Sequence, residues 1–300
     1  MSRLLQGCIS AGCWRGWILR FAYAGLVVLL LGGGMVLAQR MGGRGGWYRM
    51  GEVRTARELA GRGSLAPDWE NAEGFEADVF TFARVRYESG GRYGRGGWET
   101  DIPDSDLNLS YRLQQMTSMR VDPDGRVIRL TDGDLSDYPF IYIVEPGGLR
   151  LSADEVLCLR DYLENGGFLM LDDFWGEDEW RNCEEVMGEV LPGHEFQEVP
   201  LDHALYSTVF KVEAKYQLPN VRTGIESQWT GRTWERDDAR EVHHRGIFDS
   251  RGRLMVIAFH NTDNGDGWEW EGHDNYYFRN FSEKIAYPLA INTLVYVMTH

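Results

Sequence analysis

"FIYIVEPGGLRLSADEVLCLRDYLENGGFLMLDDFWG", Phe140 to Gly176, reads as strand, helix, strand. "FIYIV" and "FLML" are short, continuous apolar runs of the kind that form strands covered on both faces. Between them, Ser152 and Glu155 have the spacing of a capping box, in which hydroxyl and carboxylate each accept a hydrogen bond from an exposed backbone N–H. Leu159, Tyr162 and Leu163 fall on the buried side of the helix that follows, and Asn165-Gly166-Gly167 ends it. The unit predicts a right-handed parallel β-α-β crossover. Its second strand runs directly into Asp172 and Asp173.

Working outward, "DVFTFARVRY", Asp78 to Tyr87, mixes β-branched and aromatic residues and predicts a first strand. The Gly/Arg stretch after it, "ESGGRYGRGGWETDIPDSD", is long for a compact domain and so a candidate functional loop. Leu109, Leu113 and Met116 then give one face of a helix, with Asp104 and Asp106 at its positive end. "RVIRL" (Arg126 to Leu130) and "RLMVIAF" (Arg253 to Phe259) predict strands. Helices are predicted at about Asp178 to Val190 and from Glu283 to about Met298, the latter too broken by polar residues to span a membrane. Alternating strands and helices place the chain in the α/β class, with a mainly parallel sheet and helices on both faces.

The chain has 300 residues, 43% hydrophobic and 13% aromatic, enough for a substantial core. Its 31 cationic and 46 acidic side chains give a formal charge of −15, which disfavours a nucleic-acid backbone, so no nucleic-acid partner is expected, and permits cations or neutral ligands. Residues 1–38 carry Arg3, Arg15 and Arg20, no acid, and an uncharged run from Phe21 to Ala38; without them the charge is −18. Basic start, apolar run and small residues near Ala38 read as an export leader. It is either cleaved after Ala38 or kept as a signal anchor, since the run is just long enough to span a bilayer. The expected setting is exported: periplasmic, or anchored in the cytoplasmic membrane with the domain outside. Residues 39–75 read as a Gly/Arg-rich linker and 76–300 as the folded domain. Cys8 and Cys13 lie in the leader, leaving Cys158 and Cys183, whose pairing spacing alone does not decide.

In an open parallel sheet, ligands collect beyond the carboxyl ends of the strands. Three predicted strands end in polar residues there: Glu145, the Asp172-Asp173 pair, and His260. The glycine-rich loop "HNTDNGDGWEWEG" adds Asp263, Asp266 and Glu269, although Gly265 stands where a calcium hand needs a ligand. Asp172, Asp173, His260 and Asp263 are the candidate ligands for a divalent cation, the cofactor these residue types suit. A turn built from Asn, Asp and Gly is the competing reading of the loop. His203 reads as a loop hydrogen-bonder and His243-His244 as a polar surface pair.

The segments "FTFARVRY", "WETDIPDSDLN", "DYPFIYIVE", "LRDYLENGGFLMLDDFWG", "LDHALYSTVF", "GRLMVIAFHNTDNGDGWEWEG" and "AINTLVYVMTH" together resemble a bacterial family known as domain of unknown function 4159. The resemblance covers about Asp78 to His300. It implies a flavodoxin-like sheet similar to that of class I glutamine amidotransferases, often in a membrane-associated or exported setting. Those enzymes place a cysteine on a tight turn after a strand. Here Asp172 and Asp173 follow the matching strand, Cys183 lies too far along, and Cys158 precedes the strand.

Two functions are expected. The first is a noncatalytic ligand-binding or interaction module at the outer face of the membrane. Trp98, Trp175, Trp268 and Trp270 in predicted loops would stack on a carbohydrate or meet an envelope protein. Its ligand-contacting candidates are Glu145, Asp172, Asp173, Trp175, His260, Asp263, Trp268 and Glu269. The second is a hydrolase using paired carboxylates or a bound metal, in which crowding raises carboxyl pKa values and separates an acid from a base. Whether the protein is an enzyme is left open by the sequence.

Overall fold

The structure is a computed structural model that describes residues 53–62, 66–74, 78–89 and 97–300. The leader and about half of the linker lie outside the described residues. In chain order the first elements are β1 (Ala83–Val85), β2 (Glu88–Ser89), α1 (Asp104–Met116), β3 (Arg126–Ile128), β4 (Phe140–Val144) and β5 (Leu149–Arg150). They are followed by α2 (Ala153–Glu164), β6 (Phe168–Phe174), α3 (Gly176–Val190), β7 (Gln197–Glu198), α4 (Val221–Thr230) and β8 (His243–Phe248). β9 (Leu254–His260), α5 (Asn264–Glu269) and α6 (Tyr287–Thr299) complete the chain, with a π-helical turn, Phe278–Ala286, running into α6.

Seven strands form one sheet in the order β3-β1-β4-β6-β9-β8-β7. The first five are parallel. Numbered by their place among parallel strands, they follow 2-1-3-4-5, the order of flavodoxin-like sheets. β8 and β7 extend the far edge in antiparallel sense. Every residue of β4 and β9 is buried, so helices cover both faces of the sheet centre. The capping box of α2 forms as the sequence predicts, and Gly166 takes φ +112° just past the helix end, where a side chain would be strained.

β8 and α4 lie in a stretch whose sequence shows neither period. "HHRGIF" alternates poorly because its central Arg245 reaches sideways to His260 (3.2 Å) instead of marking a solvent face. His244 is buried, not on the surface, with Nδ1 2.9 Å from the Tyr206 hydroxyl. Cys158 and Cys183 are both free thiols. The compact unit begins at Arg54, earlier than the boundary expected near Glu76. Its first residues are tied to the body because Val127 N–H donates to the Arg54 carbonyl (2.7 Å) and the Arg57 guanidinium to the Pro123 carbonyl (2.8 Å). Arginine donors and backbone pairing, not apolar periodicity, hold this segment. No helix among the described residues is long and apolar enough to cross a membrane.

Arg84, in the middle of β1, is fully buried, and its charge is met on every side. Nε donates to Asp106 Oδ2 (3.0 Å), Nη2 to Ser105 Oγ (2.9 Å), and Nη1 to the carbonyls of Trp98 (3.1 Å) and Thr100 (2.7 Å). One side chain thus joins the sheet, the start of α1 and the loop between them. Arg84→Met leaves Asp106 buried without a counter-charge, which costs about 3–5 kcal/mol. Urea denaturation checks this; a loss below about 1 kcal/mol contradicts the assignment of the network as a structural anchor.

Candidate functional site

The two aspartates near the end of β6 do different things: adjacent strand residues face opposite sides, and both lie where the register with β9 slips. β6 and β9 pair in register up to Leu171 and Ala258, then slip so that Phe174 opposes His260. Asp173, inside the slip, has φ +56°. Bulges of this kind re-aim a side chain. Asp172 points into the core, where its carboxylate accepts from Asn264 Nδ2 (2.7 Å), Gly265 N–H (3.0 Å) and the Tyr142 hydroxyl (3.1 Å). It pins the start of α5 against the sheet. Asp173 opens onto a cleft, with one oxygen accepting from Trp175 Nε1 (3.0 Å).

The cleft encloses about 1220 Å³ and runs past the carboxyl ends of the parallel strands. Asp101 enters it from the loop after β1, Glu145 from the end of β4, Asp173 from β6, and Asp263 and Asp266 from the turn and first helical residues after β9. β1 and β4 are the neighbours at which the strand order reverses, the place where open α/β sheets bind ligands. Asp101, Glu145 and Asp173 all have positive φ (66°, 51° and 56°). Non-glycine residues hold that conformation only where surroundings impose it, and such residues cluster at functional sites. At Glu145 the Tyr87 hydroxyl, shared between the carbonyls of Val144 (2.7 Å) and Glu145 (2.9 Å), fixes the turn.

Asp101, Asp263 and Asp266 each bring a carboxylate oxygen within 4.8 Å of the other two. Asp263 caps α5, accepting from Asp266 N–H (2.8 Å), while Asp266 accepts from Val221 N–H (2.6 Å) and Trp270 Nε1 (3.2 Å). Those donors orient two of the three groups. Asp101 Oδ2 is buried and has no hydrogen-bond partner. A carboxylate oxygen in that state is costly unless a cation or a proton meets it. Gly265 leaves the room: a Cβ there would stand 2.3 Å from Asp101 Oδ2. Three hard oxygens gathered this closely suit calcium, magnesium or manganese.

The charges confirm how crowded this floor is. Burial, then the neighbouring Asp266 and Glu269, hold the Asp101 carboxyl well above the usual carboxylate range. Burial and Asp173 do the same to Asp263, and burial and Glu145 to Asp173. Glu269, partly buried beside Asp266, is pushed up to about 7, with the Arg62 guanidinium 3.5 Å away opposing the rise. Asp172 is pushed up to about 6 by burial alone, since its hydrogen bonds pull the other way.

The profile of the family described as Domain of unknown function (DUF4159) matches residues 81–298. The chain belongs to the DUF4159 family. The match spans β1 through nearly all of α6, and with them every cleft residue named above. The sequence matches none of the curated proteins with which it was compared.

Within this DUF4159 domain, Glu145, Asp173, Trp175 and Asp263 line one cleft, while Asp172, His260 and Trp268 do not. His260 is buried, its Nε2 3.1 Å from the Gly176 carbonyl and its ring tilted against Phe174 and Trp180. Burial, foremost, lowers its pKa to about 4, so it is neutral at pH 7. Trp268 is wholly buried against Phe82 and Tyr142, and Trp98 and Trp175 are 5% and 4% exposed. These three rings therefore have no free face on which a ligand could stack, and the tryptophans expected in open loops are largely packing residues. Glu269 lies behind Asp266 and supports it. No cysteine is among the residues lining the cleft, and Cys183 is buried in α3. Asp101 and Asp266 are the site residues that pattern reading did not single out as ligands. Asp101 does fall in the long loop flagged as functional, but only the fold brings it beside residues 160 positions away.

Proposed function

We propose that this domain is a ligand-binding module that holds a divalent cation between Asp101, Asp263 and Asp266 and engages its ligand through that cation, in an exported or membrane-anchored setting. The cluster of three aspartates, one of which, Asp101, has a buried and unpartnered Oδ2, carries this reading. Three carboxylates leave coordination positions open toward the cleft, where a ligand oxygen completes the shell. Equilibrium dialysis of the full-length protein against calcium, magnesium and manganese tests it. The expected result is one ion per chain and a melting temperature that rises with the bound ion, by the linkage between binding and stability. No bound ion with any of the three metals contradicts it.

A second reading has its own observation. Asp173 and Glu145 face the same cleft with raised proton affinities. A carboxylate so tuned beside a cation is placed to take a proton from a metal-bound water, the arrangement of a metal-dependent hydrolase. Turnover that requires both the cation and Asp173 would favour it over a noncatalytic module.

A further inference from the structure

The walls of the cleft constrain what the cation would hold, and the inference drawn from them rests on the cation reading above. Three arginines line the rim, and two are already spent on cleft acids: Arg181 Nη2 lies 3.1 Å from Asp178, and Arg236 is paired with Glu179. Arg150 alone has no ion pair among the described residues. Facing it are Asp101, Glu145, Asp173, Glu235, Asp263 and Asp266, none of which has an arginine or lysine within ion-pair distance among the described residues. A bound dication offsets two of these six charges and Arg150 one more. With the acids ionised, the cleft stays negative with the cation in place, and an oxyanion entering it meets a like field at short range.

Hydrogen-bonding character points the same way. Ionised carboxylates only accept, so the complementary ligand is rich in donors. A carboxyl that keeps its proton adds a hydroxyl but still no positive charge. Hydroxyl groups satisfy both demands, because a neutral hydroxyl oxygen can complete the coordination of a hard cation while its proton goes to a neighbouring carboxylate. The volume, about 1220 Å³, exceeds the roughly 300–1,000 Å³ typical of sites for one small molecule. We infer that the ligand is a neutral, hydroxyl-rich oligosaccharide, held by cation coordination and hydrogen bonds to Asp173, Glu145 and Glu235. Stacking on tryptophan has no part in this recognition, since Trp175 is buried at the cleft wall.

The test is retention of the full-length protein, kept in a sugar-free detergent, on an array printed with neutral, phosphorylated, sulfated and sialylated glycans. In millimolar calcium, binding is expected on neutral glycans and is expected to fall by roughly tenfold or more in chelator. Arg150→Ala should leave that binding within about twofold, whereas an oxyanion ligand would lose its one free guanidinium. Retention only on charged glycans, or on none while dialysis still shows bound calcium, overturns this inference and leaves the cation reading standing. Absence of binding to calcium, magnesium and manganese alike overturns both.

Discussion

Asp263→Asn weakens calcium binding by at least about 100-fold while making the metal-free protein more stable at pH 8. The first half follows from removing one of three charged ligands, a larger change than the roughly 10–100-fold that second-sphere substitutions cost. The second half separates a ligand from a structural acid. Asn retains the side-chain oxygen that accepts from Asp266 N–H, and Asn caps a helix about as well as Asp. What is lost is a charge beside Asp173, Asp266 and Asp101. The sign is fixed by linkage: the folded-state pKa of Asp263 is raised, so its protonated form contributes stability below the ordinary carboxylate pKa, and that stability is lost as pH rises through the raised value. At pH 8 in chelator the variant should melt about 2–4 °C higher, corresponding to roughly 1 kcal/mol. A variant that melts lower in chelator would show Asp263 to be held by favourable partners the structure does not reveal.

Calcium affinity should rise with pH between 5 and 8, by roughly tenfold per pH unit for each proton the ion displaces. The cause is the crowded floor. Burial and mutual repulsion raise the proton affinity of Asp101 and Asp263, so protons and the cation compete for the same oxygens. Calorimetry in buffers of different ionisation enthalpy counts the protons released. Proton release that accompanies the rise in affinity agrees with this competition. An affinity independent of pH across the range would mean that the ion binds somewhere other than this cluster. His260 and His244 do not enter, because burial lowers both and leaves them neutral over most of this interval.

The β-α-β unit around Phe140 to Gly176 was legible because its signals are local: two apolar runs, a capping box and a glycine stop, each read without reference to the rest of the chain. The same holds for β9. β8 was not legible, since its side chains alternate between a buried histidine and an arginine that lies along the sheet. The division of labour between Asp172 and Asp173 was hidden for a different reason. Both sit in a slip of register between β6 and β9, a relation between residues about 85 positions apart, and what each side chain meets is set by the fold. Asp101 was hidden likewise, because its role depends on Arg84 drawing the loop carbonyls of Trp98 and Thr100 onto β1. The tryptophans misled because large aromatics in loops can be covered by the fold itself. Trp268 is covered by Phe82 and Tyr142, and Trp98 by the Arg86 guanidinium 5.3 Å from its ring centre.

The most direct measurement is anomalous X-ray diffraction from crystals grown with manganese. A single anomalous peak among Asp101, Asp263 and Asp266, about 2.2 Å from an oxygen of each, is the predicted result. A well-diffracting crystal with no peak there, or with manganese bound only elsewhere on the molecule, would contradict the cation centre and the ligand-binding account built on it.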